Sequence, residues 1–166
     1  MTRVEYWFRA KNQYGLHSPY MFELYCDVLH AVLTRGDRRR LRRAVGRCTC
    51  GEWRYYVLLY KLACHFRATD ATLQAEGDAV RRCLAMACEG MRVTVADESE
   101  GLAWIRLTAA DGQRLAVVLK PHGSRAAERE WERMKQLDDY NVSVDLYDTG
   151  LLIANKHLSR QAFILM

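Results

Sequence analysis

Eight arginines crowd into the stretch from Thr34 to Arg54, opposed there only by Asp37 and Glu52, a local charge of +6 in a chain whose net charge is +5. The rest of the chain is therefore close to neutral. The planar guanidinium fork of arginine pairs with phosphate or carboxylate oxygens two at a time. At helical spacing Arg35, Arg39, Arg42 and Arg43 share one side. Several arginines on phosphates would bind nucleic acid or another anionic surface with an affinity that falls steeply with salt. The same run also serves as an ordinary solvated face. Leu41 and Val45 alone offer too little apolar area to favour a membrane surface.

Other reactive side chains are more scattered. The cysteines are Cys26, Cys48, Cys50, Cys64, Cys83 and Cys88. Four of them lie among apolar residues, where a thiol behaves as a small hydrophobe. Cys48, Cys50, Cys64 and His65 form an imaginable zinc set, but one residue between the first two thiols is not the usual two-to-four spacing. We expect no metal. His17-Ser18 reads better as a helix cap than as a base–nucleophile pair. Asp138, Asp139, Asp145 and Asp148 read as loop and strand-end acids with no partner that the sequence assigns.

No apolar run approaches the roughly 18 residues that span a bilayer, and no basic-then-apolar leader opens the chain. A cytoplasmic location with free thiols is the expectation. A length of 166 residues suits a single domain with a sizeable core.

Apolar periodicity predicts the elements. A short helix over 3–12 carries a stripe of Val4, Trp7, Phe8 and Ala10. A second helix follows the Tyr14–Pro19 turn, with Ser18 as its cap and Phe22, Cys26, Leu29 and Leu33 as its buried face. Gly36 stops it, and an arginine-rich helix runs over 37–46. Helices over 52–67, 78–88 and 124–137 follow. Strands are predicted over 71–75, 92–96, 102–108, 115–119, 142–146, 151–154 and 162–165. Asp111-Gly112 marks a hairpin turn between the third and fourth of them.

Three ordered stretches carry a resemblance. The first is Arg9-Ala10-Lys11-Asn12 followed by Gly15-Leu16-His17-Ser18-Pro19-Tyr20 and Phe22. The second is Tyr55–Asp97. The third begins at Leu115 and includes Ser124, Trp131, Val142-Ser143-Val144-Asp145-Leu146-Tyr147, Gly150-Leu151-Leu152-Ile153 and Gln161–Leu165. Together they resemble a bacterial family of class I S-adenosylmethionine-dependent methyltransferase-like proteins with a His-Ser-Pro leader. The element order implies a three-layer α/β sheet with mostly parallel strands and an antiparallel edge, and the resemblance implies that it is a truncated Rossmann-like sandwich. The helical leader would occupy 1–67, the sheet 68–166, and an antiparallel hairpin would lie near the C-terminus.

The resemblance also implies a cofactor site at the first strand–helix turn, built here from Gly77, Asp78 and Asp97. The family's two turn glycines fall on Glu76 and Val80, and Gly77 stands one place off register. Where the family ends a later strand in paired aspartates, this chain has Leu119 and Lys120, and a lysine cannot ligate Mg²⁺. His122 is retained, and a lone loop histidine reads as a surface residue. Seventeen residues separate Asp97 from Leu115, room for one strand and a turn. The expectation is a shortened, degenerate, non-catalytic relative without a cofactor. It would act by self-association or on a protein partner through leader helices rich in Trp7, Phe8, Tyr14, Tyr20, Phe22 and Tyr25. The alternatives are an active S-adenosylmethionine-dependent methyltransferase and a protein that binds nucleic acid or an anionic surface through the arginine helix.

Overall fold

The computed structural model of the chain describes residues 1–10, 18–74, 77–96 and 102–165. Its helices are α1 (Arg3–Arg9), α2 (Pro19–Leu24), α3 (Arg35–Val45), α4 (Cys50–His65), α5 (Asp78–Ala87) and α6 (Arg125–Met134). Its strands are β1 (Ala68–Leu73), β2 (Arg92–Val95), β3 (Trp104–Ala109), β4 (Arg114–Leu119), β5 (Val142–Asp145), β6 (Thr149–Ala154) and β7 (Gln161–Ile164). Among the described residues no helix is long and apolar enough to cross a membrane.

Local chemistry starts most of the helices. The side chains of Ser18, Thr34, Thr49 and Ser124 each accept a hydrogen bond from a first-turn amide of α2, α3, α4 and α6. Glu52 completes a capping box with Thr49. Thr34 starts α3 early enough that Gly36 lies inside the helix. The second helix has already stopped at Leu29, with His30 as its C-cap, and α3 stops as expected at Gly46, whose φ of 77° suits glycine.

The second helix also differs from its expected face. After α2 the chain widens into a π-turn at Tyr25–Leu29, which shifts the stripe around the axis. Met21, Leu24, Tyr25 and Val28 are buried, Phe22 is exposed, and Cys26, Leu29 and Leu33 reach only the rim of the core. In α1 the expected stripe points outward. Val4, Trp7 and Phe8 are exposed and Tyr6 is the buried residue, because its hydroxyl donates to the carbonyls of Asp145 and Leu165 at the sheet edge. The residues of the Tyr14–His17 turn lie outside the described residues.

The seven strands form one sheet in the order β2-β1-β3-β4-β6-β5-β7. Only β1–β2 and β5–β7 pair in parallel, and the other four pairings are antiparallel. This corrects the expected parallel sheet with an antiparallel edge. Five strands do run in one direction, but the reversed ones, β3 and β6, lie in the interior, and both edges are parallel pairs. The departure lies in β3, which pairs antiparallel with β1 as well as with β4. β3 and β4 are joined by a turn through Gly112 (φ 81°), far too short for a parallel crossover. The β5–β6 hairpin appears as expected, and β7 passes it to pair with β5 on the far side.

Both faces of the central strands are covered. Leu115, Val117, Leu151 and Ile153 pack with the core of α2, α4 and α5. Ala116, Val118 and Leu152 pack with Trp131 and Met134 of α6. This two-sided burial is why β4 reads as an unbroken apolar run.

Candidate functional site

The cofactor turn expected from the sequence lies at the C-terminal end of β1. Gly77 is the N-cap of α5, with no side-chain cap on the first turn, and Asp78 is the exposed first residue of that helix. Gly77 has an extended φ of −161°. A Cβ there would meet the Val80 side chain at 3.5 Å, an ordinary contact. Nothing in the backbone at Gly77 therefore demands glycine. Glu76 and Asp97 lie outside the described residues, so only Gly77 and Asp78 of the three expected cofactor residues are placed.

The neighbouring strand ends are laced with hydrogen bonds. In open α/β sheets ligands sit beyond the strand ends at the point where successive connections leave toward opposite faces. Here α5 follows β1 onto one face, α6 follows β4 onto the other, and β3 fills the slot between β1 and β4. The Gln74 amide donates to the Trp104 carbonyl at 3.1 Å, and the Trp104 amide donates to Gln74 Oε1 at 3.1 Å. The Leu119 amide donates to the Ala103 carbonyl at 2.8 Å. These bonds stitch the ends of β1, β3 and β4 together.

A polar cluster missed by the sequence reading lies further along the same edge. His122 is not a surface residue: its side chain is 4% exposed. Its Nε2 lies 2.7 Å from Asp145 Oδ2 and its Nδ1 lies 3.2 Å from Glu128 Oε1. Asp145 Oδ2 also accepts from Trp131 Nε1 at 3.2 Å, and its Oδ1 accepts from the Tyr147 amide at 2.9 Å. The His122 ring stacks on Tyr147, a residue with a left-handed φ of 65°, and Tyr6 meets the other ring edge-on. Glu128 additionally binds the N-terminal ammonium. That bond, and then His122, holds its carboxyl below the usual carboxylate range. Both ring nitrogens of His122 thus face carboxylate oxygens. The arrangement ties α6, the β4–α6 loop and the end of β5 into one brace. The hints in the sequence were Asp145 and Trp131, each singled out without a partner.

The arginine helix is placed as expected. Arg35, Arg39, Arg42 and Arg43 are exposed while Leu41 and Val45 face the core. The Arg42 guanidinium lies 4.5 Å from the centre of the Trp53 ring. Lys120 sits just beyond β4 with a left-handed φ of 49° and lines a groove of about 410 Å³ with Glu52, Arg54, Tyr55, Asp148 and Thr149. The imagined zinc residues are split between the two ends of α4. Cys50 opens that helix and Cys64-His65 close it, about 20 Å apart at 1.5 Å per residue. Among the described residues no group of three His, Cys, Asp or Glu side chains is arranged to hold a metal ion.

No protein-family model matches the chain, and comparisons with curated proteins and with solved structures return no significant match.

Proposed function

We propose that the chain is a methyltransferase-like protein that does not catalyse methyl transfer and acts by association, with a second copy or with another protein. The observation that carries this reading is the antiparallel β3 strand lodged beside β1, with Gln74 and Trp104 bonded across the strand ends where a doubly wound fold opens to its ligand. Three further points support it. Gly77 is not under the backbone constraint of a phosphate or cofactor cradle. The residue after β4 is the cation Lys120. The β1–α5–β2 unit and the β5–β6 hairpin are the parts of the expected fold that the structure contains.

Association is supported by the outward stripe of α1. Val4, Trp7 and Phe8 are 66%, 70% and 85% exposed, and contiguous exposed apolar side chains mark interaction sites. Calorimetric titration with S-adenosylmethionine and S-adenosylhomocysteine tests the first half of the reading. We expect no heat and no thermal shift, and micromolar binding of either compound would restore the active-enzyme alternative. Light scattering over a wide concentration range tests the second half. We expect a species larger than the monomer that Trp7→Glu with Phe8→Glu disperses, or a protein partner whose capture the same pair of substitutions abolishes.

A further inference from the structure

We infer that α3 and the groove beside it form a binding surface for single-stranded nucleic acid. The surface starts with the exposed arginines of α3, which cover about 10 Å of helix between Arg35 and Arg42 at 1.5 Å per residue. It continues over Trp53, whose ring lies 4.5 Å beneath the Arg42 guanidinium. Trp53 is at the same time a wall of a groove of about 580 Å³ lined further by Leu29, Arg54, Val57, Leu58 and Leu146. Arg54, Leu58 and Leu146 are shared with the groove that holds Lys120. The two grooves thus share part of their walls. Apolar and aromatic walls and the cations Arg54 and Lys120 line these grooves, with the carboxylates Glu52 and Asp148 at the Lys120 end; on the Trp53 side, next to the arginines of α3, bases can stack on a ring while phosphates meet guanidinium groups.

The same features choose among anionic partners. A membrane surface requires exposed apolar side chains on the basic helix, and Leu41 and Val45 are buried. A duplex keeps its bases stacked inside and leaves the Trp53 groove empty. An acidic peptide would satisfy the arginines without using the aromatic wall. The cationic residues of the stretch are all arginine, with no lysine between Thr34 and Arg54, and arginine pairs with phosphate through two donors at once. Lys61 also lines the groove, but its ammonium donates to the Leu29 and Ala31 carbonyls at 3.0 Å each, so it is not counted as a phosphate contact.

The inference goes beyond the association proposed above, uses a different surface and is measured without any cofactor, so the two can fail separately. The experiment is fluorescence anisotropy of labelled single-stranded RNA and DNA 12-mers of mixed sequence, with a 12-base-pair duplex and phosphatidylglycerol vesicles as competitors. Four phosphate contacts predict a slope of log K against log salt of about −3 for single strands. The pair Arg39→Glu with Arg43→Glu, both exposed, is expected to weaken binding at least tenfold and to flatten that slope. Trp53→Leu is expected to weaken it about fivefold or more, the effect of one lost base stack. Absence of single-strand binding by the wild-type chain at 50 mM salt would overturn the inference. So would unchanged affinity in the arginine variant, or tighter binding of duplex or vesicles than of single strands.

Discussion

The indole of Trp131 occupies the space that a side chain at position 150 would need: a Cβ built on Gly150 lies 2.6 Å from Trp131 Cη2 and 2.8 Å from Cζ3. Gly150 pairs with Val118 on one side and Asp145 on the other, so neither strand can withdraw. Gly150→Ala is expected to cost about 2–3 kcal/mol, the usual price of overpacking a core. In a Trp131→Phe background, which removes the clashing atoms, the same substitution should cost less than about 1 kcal/mol. Urea unfolding of the four chains measures the coupling, and equal costs in both backgrounds would show that the sheet absorbs the methyl group elsewhere.

His122 and Asp145 should behave as one unit. Removing one member of a buried hydrogen-bonded pair leaves the other short of a partner, at about 1–3 kcal/mol. His122→Leu takes one donor from the Asp145 carboxylate, which is 5% exposed and keeps Trp131 Nε1 and the Tyr147 amide. Asp145→Leu takes acceptors from His122, Trp131 and the Tyr147 amide. The double variant should be destabilised by clearly less than the sum of the two single effects. Strict additivity in denaturant unfolding would mean that the brace does not exist in solution.

Glu128 gives the brace a pH dependence of known sign. Its carboxyl is held below the ordinary range by the N-terminal ammonium first and His122 second. A depressed folded-state value stabilises the fold above the unfolded carboxylate pKa and loses that contribution as pH falls through the folded value. Thermal melts from pH 7 down to pH 3 should therefore fall more steeply for the natural chain than for Glu128→Gln. Parallel curves would remove Glu128 from the account.

Lys61 joins α4 to the end of the leader. Its ammonium donates to the carbonyls of Leu29 and Ala31, where the π-turn leaves acceptors without partners in the helix. Lys61→Met keeps the aliphatic stem and removes the donor. A loss of about 1–3 kcal/mol is expected, together with faster hydrogen exchange over residues 25–31. Unchanged exchange there would place the tie elsewhere.

The thiols should separate by burial. Cys83 is buried between α4 and α5, and burial first of all pushes its thiol up to about 12. Cys50 is exposed at the start of α4. Because the thiolate is the reactive form, brief alkylation at pH 8 read by peptide mass spectrometry should modify Cys50 early and leave Cys83 untouched until denaturant is added. Early modification of Cys83 would contradict the packing of α5 on α4.

What the sequence determined by itself is the set of choices made within a few residues. Ser18, Thr34, Thr49 and Ser124 cap helices through amides three residues away. Asp111-Gly112 folds the β3–β4 hairpin, and the apolar run of β4 announces burial on both faces. Even Leu41 and Val45 against the arginines of α3 could be read from periodicity. The tertiary structure decided what depends on distant partners. The π-turn at Tyr25–Leu29 moved a buried face that a uniform helical period had placed on Phe22. Tyr6 found carbonyls 139 and 159 residues away and turned the apolar stripe of α1 outward. Strand direction beside β1 was settled by pairing with β3, which no local pattern encodes. His122, Glu128, Trp131 and Asp145 are unremarkable one at a time. They become a brace only because the loop after β4, the helix α6 and the end of β5 meet at one edge, and hydrogen bonding between side chains is blind to their separation along the chain.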